Sequence, residues 1–302
     1  MNKFAFQKEL ERVCRGEVLL DEPMSQHTSF GIGGPAEAFV CPADIADLRE
    51  ILTIAKEAAK PIFVIGRGTN LLVSDAGVSG LVIRLNQSCS KIRASDGRLC
   101  AGAGVELSQI LQLCIQQGLG GLEFTAGIPG TVGGAVKGNA GTLKAEISDP
   151  LLEVETLDTN SLELSILKKG QIIFKYRRSS LPKELLLTAV TFQLYPEDPV
   201  NVKTRVEDYL KTRLTSQPVG EKCAGCIFKN PPGHSAGQLI EQAGCKGMSC
   251  GDAMVSELHA NFIINRSKAK ASDVLKLIDE IRERVRTTSG IELELEIEVV
   301  GQ

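Results

Sequence analysis

Along residues 2–14, apolar Phe4, Phe6, Leu10 and Val13 recur among charges at helical spacing, which predicts a short amphipathic helix. Residues 36–41 read as a strand. Pro42 and Asp44 then open a helix with Ile45, Leu48, Ile51, Leu52 and Ala55 on one face. Residues 62–65 and 81–85 are short apolar runs of buried-strand type, and 105–117 form a helix with Leu107, Ile110, Leu111 and Cys114 inward. Residues 151–157, 162–167, 171–177 and 185–194 read as strands. Pro196-Glu-Asp-Pro199 marks a shift in composition and a candidate domain boundary. Beyond it the pattern predicts a charged helix (201–214), a loop (216–234), a short helix (235–243), a strand (260–264), a long helix (271–288) and a final strand (291–300).

Two glycine-dense segments interrupt the apolar pattern: Val64-Ile-Gly-Arg-Gly-Thr-Asn-Leu-Leu-Val73 and Gly118-Leu-Gly-Gly-Leu-Glu-Phe-Thr-Ala-Gly-Ile-Pro-Gly-Thr-Val-Gly-Gly-Ala135. Both lie between apolar stretches, so they are tight turns of a folded core. Glycine allows positive φ and lets backbone N–H groups approach a ligand closely. Successive N–H groups in such turns form a concave anion site. Two of them predict a long ligand with phosphates in its middle, that is, a dinucleotide. No helix pattern follows Gly66-Arg-Gly-Thr-Asn directly, which excludes a Rossmann loop there.

The chain has 302 residues, 43% apolar and 24% charged, with a net charge of −3. That is ordinary globular composition, long enough for two domains, and it argues against a nucleic-acid binder with a basic stripe. Aromatics at 4% and the absence of Trp leave no stacking platform for single strands. No apolar run reaches the ~18–20 residues that span a bilayer, and the first residues lack a signal-peptide core. A cytoplasmic protein with reduced thiols is expected. Cys223-x2-Cys226 and Cys245-x4-Cys250 resemble a four-thiolate zinc site. The second spacing is loose and Phe228, Lys229 and Pro231-Pro232 crowd the loop, so the expectation is small partly buried thiols and no metal, with a redox pair as the alternative.

Four segments carry residues suited to chemistry. Ser25-Gln-His-Thr-Ser-Phe-Gly-Ile-Gly-Gly-Pro-Ala36 is a polar stretch ending in a turn. In Phe174-Lys-Tyr-Arg-Arg-Ser179, a strand would place Arg177 with Ser179 on one face. Arg177 then either binds a carboxylate with its fork or is an exposed edge-strand arginine. In Ala224-Gly-Cys-Ile-Phe-Lys-Asn-Pro231 a thiol beside a glycine turn precedes a lysine and an amide, a proton-donor and substrate-binding set or an ordinary loop. In Ile291-Glu-Leu-Glu-Leu-Glu-Ile-Glu-Val299 strict alternation places Glu292, Glu294, Glu296 and Glu298 on one face. Either that face is solvated or part of it lines a pocket, where crowding raises a carboxyl pKa. Periodicity does not say which glutamate.

Taken together, the segments resemble the UDP-N-acetylenolpyruvoylglucosamine reductases, bacterial flavoenzymes of peptidoglycan precursor synthesis and hence of cell shape and division. The matches are His27–Ala36, Ile65–Asp75, Gly127–Gly134, Tyr176–Ser179, Ala224–Pro231 and the tail through Gly301, in the family's order. The resemblance implies an α+β fold: a two-part FAD-binding domain of vanillyl-alcohol-oxidase type over 1–198 (lobes of roughly 1–85 and 86–198), then a smaller α+β substrate-binding domain over 199–302. It implies FAD held by Ile65, Gly66, Arg67, Gly68, Thr69, Asn70 and Leu71, and by Ala126, Gly127, Ile128, Gly130, Thr131, Gly133, Gly134 and Ala135. NADPH is the implied co-substrate and a UDP-sugar enolpyruvyl ether the substrate, in a monomer without nucleic acid or membrane partner.

The same resemblance implies hydride transfer from NADPH to flavin N5 and on to substrate C3, then protonation at C2. Arg177 matches the arginine that neutralises developing carboxylate charge, and Glu296 the tail glutamate that stabilises the enol. Cys226 matches the general acid, a serine in most members. A thiol of ordinary pKa, about 8.5, is largely protonated at pH 7 and is a stronger acid than a serine hydroxyl, so Cys226 stays the donor. Tyr176, Lys229, Asn230 and Gln238 match polar contacts to substrate. The short path from Ser179 to Tyr195 resembles the family type without a tyrosine-bearing insertion. The alternatives are an FAD-dependent oxidase of the same fold and a zinc-stabilised binding module built on Cys223, Cys226, Cys245 and Cys250.

Overall fold

The structure is a computed structural model that describes residues 2–142 and 144–301. Asn2 caps the first helix, Lys3–Val13, by accepting the Ala5 N–H at 2.9 Å. Asp44 does the same for Ile45–Glu57, accepting from Asp47 N–H. Such caps satisfy amides that the first turn leaves without partners. The inward stripe of the second helix is as expected, with Leu48, Ile51, Leu52 and Ala55 at 0% exposure. Gly118 ends helix Leu107–Gln117 in the left-handed conformation at φ 62°.

The chain forms two compact units. The first comprises Met1–Leu20, Ala38–Gly66 and Gly80–Thr212. Its centre is a five-stranded antiparallel sheet in the order Leu164–Lys168, Leu151–Asp158, Leu185–Gln193, Arg98–Gly102, Ile92–Ser95. A second sheet runs Glu17–Pro23, Pro35–Cys41, Val78–Arg84, Ile62–Ile65, with the last two parallel and Ile62 opposite Leu81. The second unit comprises Asp21–Glu37, Arg67–Ser79 and Arg213–Gln302. It holds helices Ala236–Gln242 and Ala271–Ser289, the sheet Ser249–Cys250, Ala253–Val255, Ile263–Asn265, and a parallel pair of Glu298–Val300 with Leu71–Val73. Its core includes Phe30, Leu72, Phe228, Val274 and Ile278.

These units divide the chain differently from a cut after residue 198. Helix Pro199–Ser216 does begin there, but its Val206 packs with Leu111 and Ala126 of the first unit. Residues 67–79 join the second unit because Leu71–Val73 pairs with Glu298–Val300.

Three strand expectations need correction. Residues 171–177 are not one strand: a 3₁₀ turn at Lys169–Gln171 leads to Phe174–Lys175, which pairs with Arg178–Ser179 across a turn at Tyr176 and Arg177. Arg177 has φ 55°, which no strand accommodates. The strand expected at 260–264 begins at Ile263, because the Phe262 N–H turns back to His259 O at 2.9 Å. Only Glu298–Val300 of the tail is a strand, with one bridge from Leu295 to Phe228. No helix among the described residues is long and apolar enough to cross a membrane.

Asp75 lies in a segment that resembles a cofactor loop, yet its carboxylate accepts the N–H groups of Ala271 at 2.7 Å and Ser272 at 3.1 Å, at the start of helix Ala271–Ser289. Burial pushes its pKa up, but these amide bonds outweigh that and hold it below the ordinary carboxylate value. Asp75→Ala is expected to cost about 1–2 kcal/mol of stability while leaving FAD affinity unchanged. Thermal unfolding and fluorescence titration with FAD check the two halves separately.

Candidate active site

In the second unit, the loop after Gly225 (φ 77°) carries Cys226 into a short backbone pairing with the tail. The Glu296 N–H donates to Ile227 O at 2.8 Å, and the Lys229 N–H donates to Glu294 O at 2.8 Å. The pairing aligns Glu296 with Ile227, the residue after Cys226, and both Cys226 and Glu296 are half-buried. Burial also answers which tail glutamate differs: Glu292, Glu294 and Glu298 are exposed, whereas Glu296 is half-covered. The partners of that face are Leu293 and Ile297, each 4% exposed on the core side.

Asn70 joins the same cluster. Its Nδ2 donates to Glu296 O at 3.1 Å, and its carbonyl accepts the Glu298 N–H at 2.9 Å. The first glycine loop and the catalytic candidates of the tail are thus parts of one hydrogen-bonded assembly. Gly68 (φ 63°) is fixed by packing, because a Cβ there would lie 2.2 Å from His27 O. Lys229 Nζ lies 3.2 Å from Glu294 Oε2, so its charge is already shared with an exposed carboxylate. Asn230 Oδ1 accepts the Ala236 N–H at 2.9 Å, starting helix Ala236–Gln242, on which Gln238 is exposed. These two amides sit on the same short helix and its entry.

In the first unit, the second glycine loop turns at Gly127 (φ 71°) and Gly130 (φ 149°) and enters helix Val132–Lys137 at Thr131, whose Oγ1 accepts the Gly134 N–H at 3.3 Å. Gly66 packs on it: a Cβ there would lie 2.6 Å from Thr131 Oγ1. Gly133 is equally constrained, by Ala103 Cβ at 2.9 Å. Gly134 is not. It is exposed and a Cβ there would meet only Thr131 Oγ1, at 3.5 Å, an ordinary contact. The protein's own packing gives no reason for a helical glycine that costs about 0.5–1 kcal/mol relative to alanine.

Tyr176 and Arg177 occupy the hairpin turn, with the Arg177 guanidinium carbon 4.9 Å from the Tyr176 ring centroid. The left-handed backbone of Arg177 costs a non-glycine residue about 1–2 kcal/mol. It persists because the hairpin is stitched to 137–141. Ser179 Oγ donates to Lys137 O (2.7 Å), Asn139 Nδ2 to Lys175 O (3.0 Å), and Arg177 Nη2 to Gly141 O (3.1 Å). Asn139 is 0% exposed and also donates to Glu146 Oε2 at 2.7 Å. It was not among the expected site residues; the signal was an amide in Gly138-Asn-Ala-Gly141, just after the glycine run.

All nine cysteines are free thiols. Among the described residues no three His, Cys, Asp or Glu side chains gather as metal ligands. Cys245 is fully buried, and burial pushes the Cys223 thiol above its ordinary pKa, which disfavours a thiolate.

A family model described as the C-terminal domain of UDP-N-acetylenolpyruvoylglucosamine reductase matches residues 217–300, and an FAD binding domain matches residues 36–164. The reductase of that name from Moorella thermoacetica is 43% identical over 302 residues, covering 100% of this chain and 99% of its own. The one from Syntrophus aciditrophicus is 40% identical over 306 residues, covering 100% and 98%. The chain belongs to the UDP-N-acetylenolpyruvoylglucosamine reductase family. The reductase of Thermus caldophilus superposes with a TM-score of 0.80 at 38% identity, over 95% of this chain and 99% of that one. A glucooligosaccharide oxidase from Acremonium strictum shares the fold alone, with a TM-score of 0.51 at 13% identity over 97% and 59%. This reductase is therefore an FAD-binding oxidoreductase with the two-part cofactor fold of vanillyl-alcohol-oxidase type.

For this reductase, Gly134→Ala separates ligand from fold. The cofactor-free protein should gain about 0.5–1 kcal/mol of stability, while FAD binds more weakly. Calorimetry of the apoprotein and FAD titration by flavin fluorescence check both signs.

Proposed function

We propose that the protein reduces UDP-N-acetylglucosamine enolpyruvate to UDP-N-acetylmuramate with NADPH as electron source. The observation that supports this reading is the backbone pairing of the segment that follows Cys226 with the tail at Glu296, the one half-buried glutamate of the alternating run. FAD, when bound, accepts a hydride from the nicotinamide and supplies it to carbon C3 of the enolpyruvyl group. The residues 65–71 and 126–135 hold that cofactor, the former by backbone and the latter along the bare face at Gly134.

The protein's own residues handle charge and proton. As C3 gains a hydride, negative charge spreads from C2 onto the carboxylate. The Arg177 guanidinium, fixed in its hairpin before substrate arrives, neutralises that charge at no cost of reorganisation. Glu296 stabilises the enol form of the same group. The Sγ–H of Cys226 gives its proton to C2, completing addition of hydride and proton across the double bond. Tyr176, Lys229, Asn230 and Gln238 bind and orient the sugar nucleotide.

The deciding experiment records the visible spectrum anaerobically. NADPH bleaches the flavin band, and the band returns only on addition of the enolpyruvyl substrate. A band that oxygen restores at once, and the substrate does not, points instead to an oxidase. In Arg177→Ala the bleaching by NADPH should stay near wild-type speed, while the return slows about 100–1000-fold. An unchanged return removes Arg177 from the mechanism. Cys226→Ser should retain most activity, since a hydroxyl at the same place still carries a proton; loss of several orders of magnitude gives the thiol another role.

A further inference from the structure

Asn261 stands in the apolar run Ala260-Asn-Phe-Ile-Ile264 and is 3% exposed. Its carboxamide brackets one residue of the Cys226 loop, Phe228. Asn261 Oδ1 accepts the Phe228 N–H at 2.9 Å, and Nδ2 donates to Phe228 O at 2.7 Å. Its backbone carbonyl accepts the Ile227 N–H at 2.8 Å. The fourth backbone group of these two residues, Ile227 O, accepts the Glu296 N–H. Asn261 therefore satisfies three of the four main-chain polar groups that directly follow Cys226, and the tail satisfies the last.

Asn261 is itself held. Its N–H donates to His259 Nδ1 at 3.2 Å. Burial holds His259 below the ordinary histidine pKa of 6.5, so the ring is neutral at pH 7 and Nδ1 keeps its lone pair. Phe228, 1% exposed, anchors the clamped peptide in the core. Among side chains of this length only asparagine offers a donor and an acceptor together. Aspartate lacks the donor and leucine lacks both.

We propose that Asn261 is a positioning residue for proton delivery: its clamp on Ile227 and Phe228 fixes the backbone that carries Cys226. The proposal rests on the reading of Cys226 as the proton donor. Removing the carboxamide leaves a buried N–H and C=O without partners, and the loop must move to hydrate them. A shift near 1 Å at the donor slows a reaction about 100-fold.

The test uses the FAD-loaded full chain with Asn261→Ala, Asn261→Ser and Asn261→Asp. The aspartate keeps the acceptor but sets a carboxylate oxygen against Phe228 O. Flavin reduction by NADPH is expected within about two-fold of wild type. Reoxidation by saturating enolpyruvyl substrate is expected about 10–100-fold slower, with a larger solvent deuterium isotope effect and little change in KM. Without cofactor, amides 226–229 should exchange faster with solvent, while those of strand 185–193 do not. Equal slowing of both half-reactions, or an unchanged isotope effect and unchanged loop exchange, overturns the proposal. The exchange measurement serves for any variant of the three that folds. Cys226→Ala run alongside separates the two readings. If it reoxidises at full rate, the donor assignment falls while the loop still answers to Asn261. If it is slow, adding Asn261→Ala should slow it no further.

Discussion

Residues 294–300 exchange backbone hydrogen bonds with two separate parts of the second unit. They bond Ile227 and Lys229 through Glu296 and Glu294, then Asn70 and Ser74 through Glu298 and Val300. Each such bond contributes only about 0.5–1.5 kcal/mol, but the register they share is set more firmly. Leu293 and Ile297 are in the core, and a slip by one residue would bury glutamates and expose these side chains. Apolar burial thus fixes the register, and the register fixes where the Glu296 carboxylate stands relative to the thiol loop.

The first unit solves an equivalent problem by different means. Arg177 sits on a two-residue turn, a poor platform by itself, in a backbone conformation that opposes it. Segment 137–141 compensates. It supplies acceptors from Lys137 and Gly141, while the fully buried Asn139 ties the hairpin to Glu146. Lys137 reinforces the far side through Leu181 O and Pro182 O at 3.0 and 2.7 Å. In both units a buried asparagine stands in for a missing strand partner.

The sequence made the helices legible, because capping residues such as Asn2 and Asp44 and stripes such as Leu48, Ile51 and Leu52 act locally. The glycine loops were also legible as close-approach segments. Strand boundaries were less so. Residues 171–177 carry the β-branched and aromatic run Ile172-Ile173-Phe174 and Tyr176, which reads as a strand, but nothing local reveals that Arg177 adopts positive φ. The tail reads as an unbroken strand by its alternation, although only Glu298–Val300 has a continuous partner. The choice among its glutamates depends on burial by distant segments, which period-two patterning cannot contain. Asn139 and Asn261 look like ordinary polar interruptions until the peptides they clamp are known. Family resemblance supplied the roles of Arg177, Cys226 and Glu296; spacing alone left each with a plain alternative.

The pairing of Leu71–Val73 with Glu298–Val300 also bears on biosynthesis. These partners leave the ribosome roughly 10–45 s apart at typical bacterial and eukaryotic elongation rates. Until the later one emerges, the earlier edge has no partner and the thiol loop has no tail to align it. The closure entropy for so long a loop is modest, since each doubling of length adds only about 0.6 kcal/mol; the delay is one of synthesis, not of affinity. A nascent chain can therefore assemble its antiparallel sheet early, but the thiol loop and residues 71–73 gain their tail partner only when translation has passed residue 300.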